Sequence, residues 1–314
     1  MTVTICYYTS RTEPMIGWFF DSLAYQRADA DDLRLVVVDA RRDEPGRREK
    51  LQEAARGQDF LHVLPKPNAW QGPHRRTRED WWAISNARNT GVCYAPDGWI
   101  SWVDDRSVLV PTFMTALREA MAGGYAVAGS YEKRWHLQVE NGRITDLGQL
   151  SGADARRGPE DRSMPAPGSW WCGGASALPV EFALQVNGVD ETCDSLGLED
   201  NLFGIMMENN RLPIRYDRRL KVVEDRTPCE SVGVMFRRTD KGKSPNDKSH
   251  ALLYKLRGLK RAIHVGSEFA LPDGRRAPLE LRELREIALA GGELPAPLGP
   301  THDWYDGQPL EEMS

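Results

Sequence analysis

A chain of 314 residues, 40% hydrophobic and 28% charged, holds enough apolar material for one large α/β domain or two small ones. Its net charge of −5 gives no general attraction for a polyanion, and no run is apolar over the roughly 20 residues that cross a bilayer. The opening residues lack the basic head and apolar run of a signal peptide. The five cysteines form no C-x-x-C pair, which argues against a zinc ribbon or a disulfide framework and makes a reducing cytoplasm the expected compartment.

Residues 2–8 are rich in β-formers and read as a first strand, followed by the polar Thr9-Ser10-Arg11. Thr12 is placed to cap a helix with Pro14 in its first turn, running through Met15, Trp18, Phe19 and Leu23. Residues 35–38 are all apolar and end on Asp39, the pattern of a buried parallel strand. A basic, helix-prone segment over 47–56 and a strand over 60–64 complete an alternation that predicts βαβ units. Residues 65–80, rich in Pro, Gly and Arg, read as a surface loop. Residues 81–94 are helix-like, and the strand over 98–103 ends on Asp104-Asp105.

A helix over 112–121 is closed by Gly123-Gly124, and strands follow from 125 to 144 with Asn141-Gly142 as a hairpin turn. Residues 148–168 are Gly/Pro-rich, charged and without periodicity, and read as a mobile loop. Residues 169–178 then lead to a helix over 179–186 and a second from about 200 to 209. The segment 237–261 is strongly basic, and 301–314 reads as a tail.

Open α/β sheets bind ligands beyond the carboxyl ends of their strands, where Asp104 and Asp105 sit. Two adjacent carboxylates repel unless a cation or several donors compensate them, and a divalent ion bridging to phosphate does so. Taken alone, the pair also reads as a turn cap beside a solvated acid. Its context is Ala87-Arg88-Asn89-Thr90-Gly91, then the strand, then the two acids. This resembles the nucleotide-sugar half of glycosyltransferase family 2, with its Arg-Asn-x-Gly helix before an Asp-x-Asp-type motif. Farther on, Trp170-Trp171-Cys172-Gly173-Gly174, Asn187-Gly188-Val189-Asp190-Glu191 and Gly197-Leu198-Glu199-Asp200 resemble the acceptor half and its galactosyltransferase-like module.

The resemblance implies a GT-A (Rossmann-like) α/β fold with a mixed, mostly parallel sheet. It implies a donor-binding half over 1–125, an acceptor-binding and catalytic half over 126–230, and a basic extension over 231–300 that is either a lid or a solvated face. It places Thr9, Arg11, Asp39, Arg88, Asn89, Asp104, Asp105, Arg106, Gly173 and Gly174 on a nucleotide-diphosphate sugar. Asp39 would contact the base, or it is a turn residue. Mn²⁺ or Mg²⁺ would sit on Asp104 and Asp105, with His250 as a candidate third ligand and Glu224 or Asp225 as substitutes. Arg106 stands where the family has an acid, so metal use is in question and a direct phosphate contact is the other option.

Asp200 would be the base of an inverting transfer and Glu199 its neighbour; as a helix N-terminus the pair also reads as caps. Trp170 and Trp171 would meet the acceptor or enter the core, alternation sending one each way. The acceptor is a glycan, a lipid, a protein or a modified nucleobase. A nucleotidyltransferase, or a non-catalytic sugar- or nucleic-acid-binding module, is the alternative; the glycine-free 8–14 segment disfavours the former.

Overall fold

The computed structural model describes residues 2–27, 32–67, 83–191, 198–228, 258–262, 269–270, 276–277 and 279–295. The first half builds the expected βαβ units: β1 (Val3–Thr9), α1 (Ile16–Ala24), β2 (Leu33–Asp39), α2 (Arg47–Ala54), β3 (Leu61–Val63), α3 (Ile84–Tyr94) and β4 (Trp99–Asp104). There follow β5 (Ser107–Leu109), α4 (Phe113–Gly123), β6 (Ala126–Trp135), β7 (Gln138–Glu140), β8 (Arg143–Asp146), β9 (Gln149–Ala153) and β10 (Met164–Pro165). A 3-10 turn at Gly168–Trp170 leads to β11 (Ala175–Pro179), α5 (Val180–Gln185), α6 (Glu199–Asn209), β12 (Ile214–Asp225) and α7 (Leu281–Leu289).

One sheet spans both halves of this sequence, in the order β10-β12-β6-β11-β4-β1-β2-β3, with β5 on β12 and β9 on β6. Strands β1 to β4, β6 and β12 point one way; β5, β9, β10 and β11 run against them. The fold is thus α/β with a mixed, mostly parallel central sheet. Alternation along the strands makes two cores. Tyr8, Trp102, Trp171 and Phe203 fill one face; Tyr7, Phe19, Val103 and Phe113 fill the other. Helix α3 lies close on β1 because Gly91 has no side chain: a Cβ there would come within 2.7 Å of the Tyr8 hydroxyl and 2.9 Å of Cys6 Sγ.

Two local expectations change. Helix α1 starts later than Thr12, with Met15 at the cap position and no side-chain cap bond; the Met15 amide instead donates to Asp105 Oδ1 at 3.1 Å. The 148–168 segment is not a free loop: β9 pairs antiparallel with β6 and β10 with β12. Its strands carried no period because β9 is an exposed edge whose side chains pack on nothing that would select apolar residues. The Asn141-Gly142 hairpin forms as expected, both residues in the left-handed region at φ 48 and 72, joining β7 to β8. Trp81, the basic 237–257 stretch, His250 and the 301–314 tail lie outside the described residues.

Candidate functional site

Register sets the site. Thr9 pairs with Asp39 and Tyr8 with Asp104, so the carboxyl ends of β1, β2 and β4 share one edge of the sheet. The antiparallel β11 begins at that edge, Ala175 opposite Val103, which brings Gly173 and Gly174 beside Asp104. Helix α6 opens there with Glu199 and Asp200.

The centre is Arg88, on the face of α3 turned to this edge and only 2% exposed. Its guanidinium donates to Glu199 Oε1 at 3.1 Å and to Asp200 Oδ1, and lies 3.7 Å from Asp104 Oδ1. Burial disfavours the charge, but Asp200, Asp104 and Glu199 together hold the guanidinium firmly protonated. The carboxylates answer in the other sense. Burial, then the Asp200 charge, pushes Glu199 up to about 7 against the pull of Arg88, and burial raises Asp200 as well. The two glycines make room for this cluster. A Cβ on Gly173 would overlap the Arg88 guanidinium, and one on Gly174 would sit 2.7 Å from Asp104 Oδ2.

The two acids of the Asp pair part company. Asp104 stays in the cleft, its side chain 39% exposed, and its Oδ1 accepts no hydrogen bond among the described residues. Asp105 points to the opposite face and is 6% exposed. It accepts hydrogen bonds from the Tyr7 hydroxyl, Thr9 Oγ1 (2.6 Å) and the amides of Met15 (3.1 Å) and Arg106 (2.6 Å), with Arg11 Nε 3.5 Å away. Burial pushes its carboxyl up, against the hydrogen bonds from Thr9 and Tyr7. Thr9, Arg11 and Asp105 therefore form one buried network beneath the edge. Arg106, at φ 62, turns the chain and pairs with Asp225 and the Thr227 carbonyl (2.8 Å).

Asp39 is fully buried and held by Arg47 Nε at 2.7 Å, the Arg41 amide at 2.9 Å and His62 Nε2 at 3.1 Å. Burial would raise its carboxyl, but the hydrogen bonds with His62 and Arg47 outweigh it and keep it below the usual range. Asn89 binds the loop that leads towards α6: it donates to the Val189 carbonyl and Glu191 Oε1, both at 2.8 Å, and accepts from the Val189 amide at 2.8 Å. Glu191 also pairs with the buried Lys66 at 2.7 Å. The Asn187-Gly188-Val189-Asp190-Glu191 turn is thus tied to the Arg-Asn helix.

A cleft of about 370 Å³ opens beside the acid cluster, its walls including Asp104, Trp170, Cys172, Gly174, Asp200 and Asn201. Trp170 is half-buried on its wall, whereas Trp171 is 2% exposed and packs edge-on to Trp102 at 6.2 Å. Glu224 also lines the cleft, while Asp225 is taken up by Arg106 and Thr227. No group of three or more His, Cys, Asp or Glu residues able to hold a metal ion occurs among the described residues.

Solved structures share this arrangement of strands and helices. The 1–349 segment of TarS from S. aureus, in complex with UDP-GlcNAc, aligns at TM-score 0.56 with 11% identity, over 82% of this chain and 66% of that one. The same segment in complex with UDP aligns at 0.52 with 12% identity, over 72% and 60%. The chain has the TarS fold. It spans about 60% of the length of the UDP-bound TarS chain, and at these identities the likeness is one of fold alone. The mannosyltransferase PcManGT from Pyrobaculum calidifontis, in complex with GDP-Man and Mn²⁺, aligns at only 0.45 with 15% identity, over 71% and 56%, which does not bear on the site. No family model and no curated protein matches the sequence. Among the described residues no helix is long and apolar enough to cross a membrane.

The sequence reading missed one part of the cleft. Lys133, Tyr131, Asp154 and Arg156 also line it, from β6 and from the segment after β9. Asp154 and Arg156 stand in a stretch with no periodicity, so nothing local marked them. Only the pairing of β9 with β6 carries them to the sheet edge.

Proposed function

We propose that the chain is a nucleotide-sugar glycosyltransferase acting by an inverting transfer, with Asp200 as the base. The observation that carries this is the cluster around Arg88: an acid from the end of β4 and two from the start of α6 converge on one buried cation at the cleft wall. The TarS fold supports it, and the UDP and UDP-GlcNAc in those TarS structures make these the first donors to try.

Asp200 lines the cleft with a side chain 24% exposed. It takes the proton from an acceptor hydroxyl as that oxygen bonds to the anomeric carbon, and the bond from that carbon to the donor phosphate breaks on the opposite side. Arg88 favours the ionised form of Asp200 against the opposing effect of burial and fixes its direction through their hydrogen bond. A divalent ion fits Asp104 better than Asp105, because Asp104 is open to the cleft and Asp105 is already saturated with donors. Magnesium-type ions are commonly held by one or two carboxylates plus substrate phosphates, so Asp104 with the donor diphosphate is a sufficient set. Bound there, the ion would supply positive charge for the leaving diphosphate. Thr9 and Arg11 order the edge by holding Asp105, and Asn89 by holding the loop before α6. Asp39, fully buried at the end of β2, holds Arg47 and His62, and through them would order the side of the edge assigned to the nucleotide base.

Asp200→Asn tests the assignment. It keeps the shape and the Arg88 contact, so nucleotide-sugar binding by calorimetry stays within about twofold, while transfer falls by about 10²–10⁴. Transfer at the wild-type rate in this variant rules Asp200 out as the base. Loss of binding together with turnover would instead assign it to the donor.

A further inference from the structure

The mechanism leaves unused a cluster beside the cleft, and every member of it is satisfied by another. Arg156 forms a two-pronged pair with Asp154, Nε to Oδ1 at 2.8 Å and Nη2 to Oδ2 at 2.6 Å. Its remaining donors go to backbone: Nη2 to the Gly129 carbonyl at 2.7 Å and Nη1 to the Trp170 carbonyl. The guanidinium lies 4.7 Å from the centre of the Tyr216 ring, and the Tyr216 hydroxyl donates to Asp154 Oδ2 at 3.0 Å. That ring packs edge-to-face with Trp170, with centroids 5.4 Å apart and planes at 85°.

The Trp170 backbone is therefore held by Arg156 and its indole by Tyr216. The adjoining residues are tied down too, since Asn201 Nδ2 donates to the Ser169 carbonyl at 2.6 Å and the Gly168 amide to Glu208 Oε2 at 3.2 Å. An indole fixed in this way, on the wall of the cleft that also holds Asp200, is a preorganised stacking surface.

The charges beside it select what stacks. Asp104, Asp154, Asp200 and Glu224 line the cleft against Lys133 and Arg156, and Arg156 is already consumed by Asp154. With Lys133 also 3.9 Å from Glu224, no uncommitted cation among these cleft residues meets a phosphate on the acceptor ring, while the carboxylates beside Trp170 offer hydrogen-bond acceptors to its hydroxyl groups.

We propose that Asp154, Arg156 and Tyr216 are positioning residues that set Trp170 as the stacking wall of the acceptor subsite, and that the group seated there is an uncharged pyranose ring. The proposal rests on the glycosyl-transfer reading. Its test is saturation-transfer NMR on the full chain with UDP present, using methyl β-D-glucopyranoside, methyl β-D-galactopyranoside and methyl α-D-mannopyranoside, with thymidine monophosphate as the anionic ring.

At least one pyranoside is expected to receive saturation at its ring hydrogens, and the monophosphate none. Trp170→Ala weakens pyranoside binding about tenfold. Tyr216→Phe, which removes only the hydroxyl bond to Asp154, and Arg156→Lys, which removes the fork, weaken it less but measurably. Trp170→Phe restores most of it, and all variants keep UDP binding. The account is overturned if the wild type binds UDP but no pyranoside, if the monophosphate binds instead, or if Trp170→Ala binds pyranoside as well as Trp170→Phe does. If UDP does not bind, the same experiment is run with the other nucleoside diphosphates, and failure to bind any of them would bring down the glycosyl-transfer reading first.

Discussion

A guanidinium buried among three carboxylates compensates charges that would otherwise repel one another across the opening of α6. Truncating such a residue leaves the acids unpaired in a poorly solvated place, which costs about 3–5 kcal/mol. Arg88→Ala is accordingly expected to destabilise the chain by that amount in urea titrations, whereas Arg88→Lys, which keeps the charge and loses the fork, costs less. Equal losses in the two variants would show that shape rather than charge decides. The same cluster sets a pH dependence. Burial pushes Asp200 above the ordinary carboxylate range, against the pull of Arg88. A base must be ionised to act, so turnover rises with pH along an acid limb that lies above the usual aspartate position. Glu199, pushed up to about 7 by burial and then by the Asp200 charge, holds its proton beside an ionised Asp200 just below neutrality, so Glu199→Gln leaves that limb near its wild-type place. A limb at the ordinary aspartate position in the wild type would contradict a buried base.

Two glycines set the distance between elements beside the site. Gly168, in the turn before β11, and Gly204, inside α6, pass so close that a Cβ on either would overlap the other's backbone. Because the obstructing atoms are main chain, neither side can yield by rotating a side chain. Gly204→Ala is expected to cost about 1–3 kcal/mol through this overpacking, despite alanine's better helix propensity. It also displaces the 168–172 segment that carries Trp170, so the acceptor KM rises while donor affinity holds. A thermal unfolding midpoint unchanged from wild type would contradict the tight crossing.

Across the whole molecule, the parallel half of the sheet was legible because buried β-formers and helix-prone segments alternated in order from residue 2 to residue 104. Asp104, Arg88 and Asp200 were legible as motifs, and the structure brings those three together. The fate of Asp105 was available but unread: Tyr7 and Val103 belong to one core and Tyr8 and Trp102 to the other. Adjacent residues at the end of β4 must therefore face opposite ways, and only one of the two acids can look into the cleft. The Asp154–Arg156–Tyr216 clamp was not legible, because its members meet through the pairing of an exposed edge strand and through bonds spanning up to 62 residues of sequence. Such contacts leave no periodic trace.

The central claim is that this sheet edge holds a nucleotide-sugar through Asp104 and transfers from it through Asp200. Calorimetric titration of the wild type and Asp104→Ala with a panel of nucleoside diphosphates and their sugars, with and without Mn²⁺, tests it most directly. The account predicts that one base is preferred, that Mn²⁺ strengthens binding to the wild type, and that the variant loses the Mn²⁺-dependent part. Absence of binding to every member of the panel, with and without the metal, would contradict it.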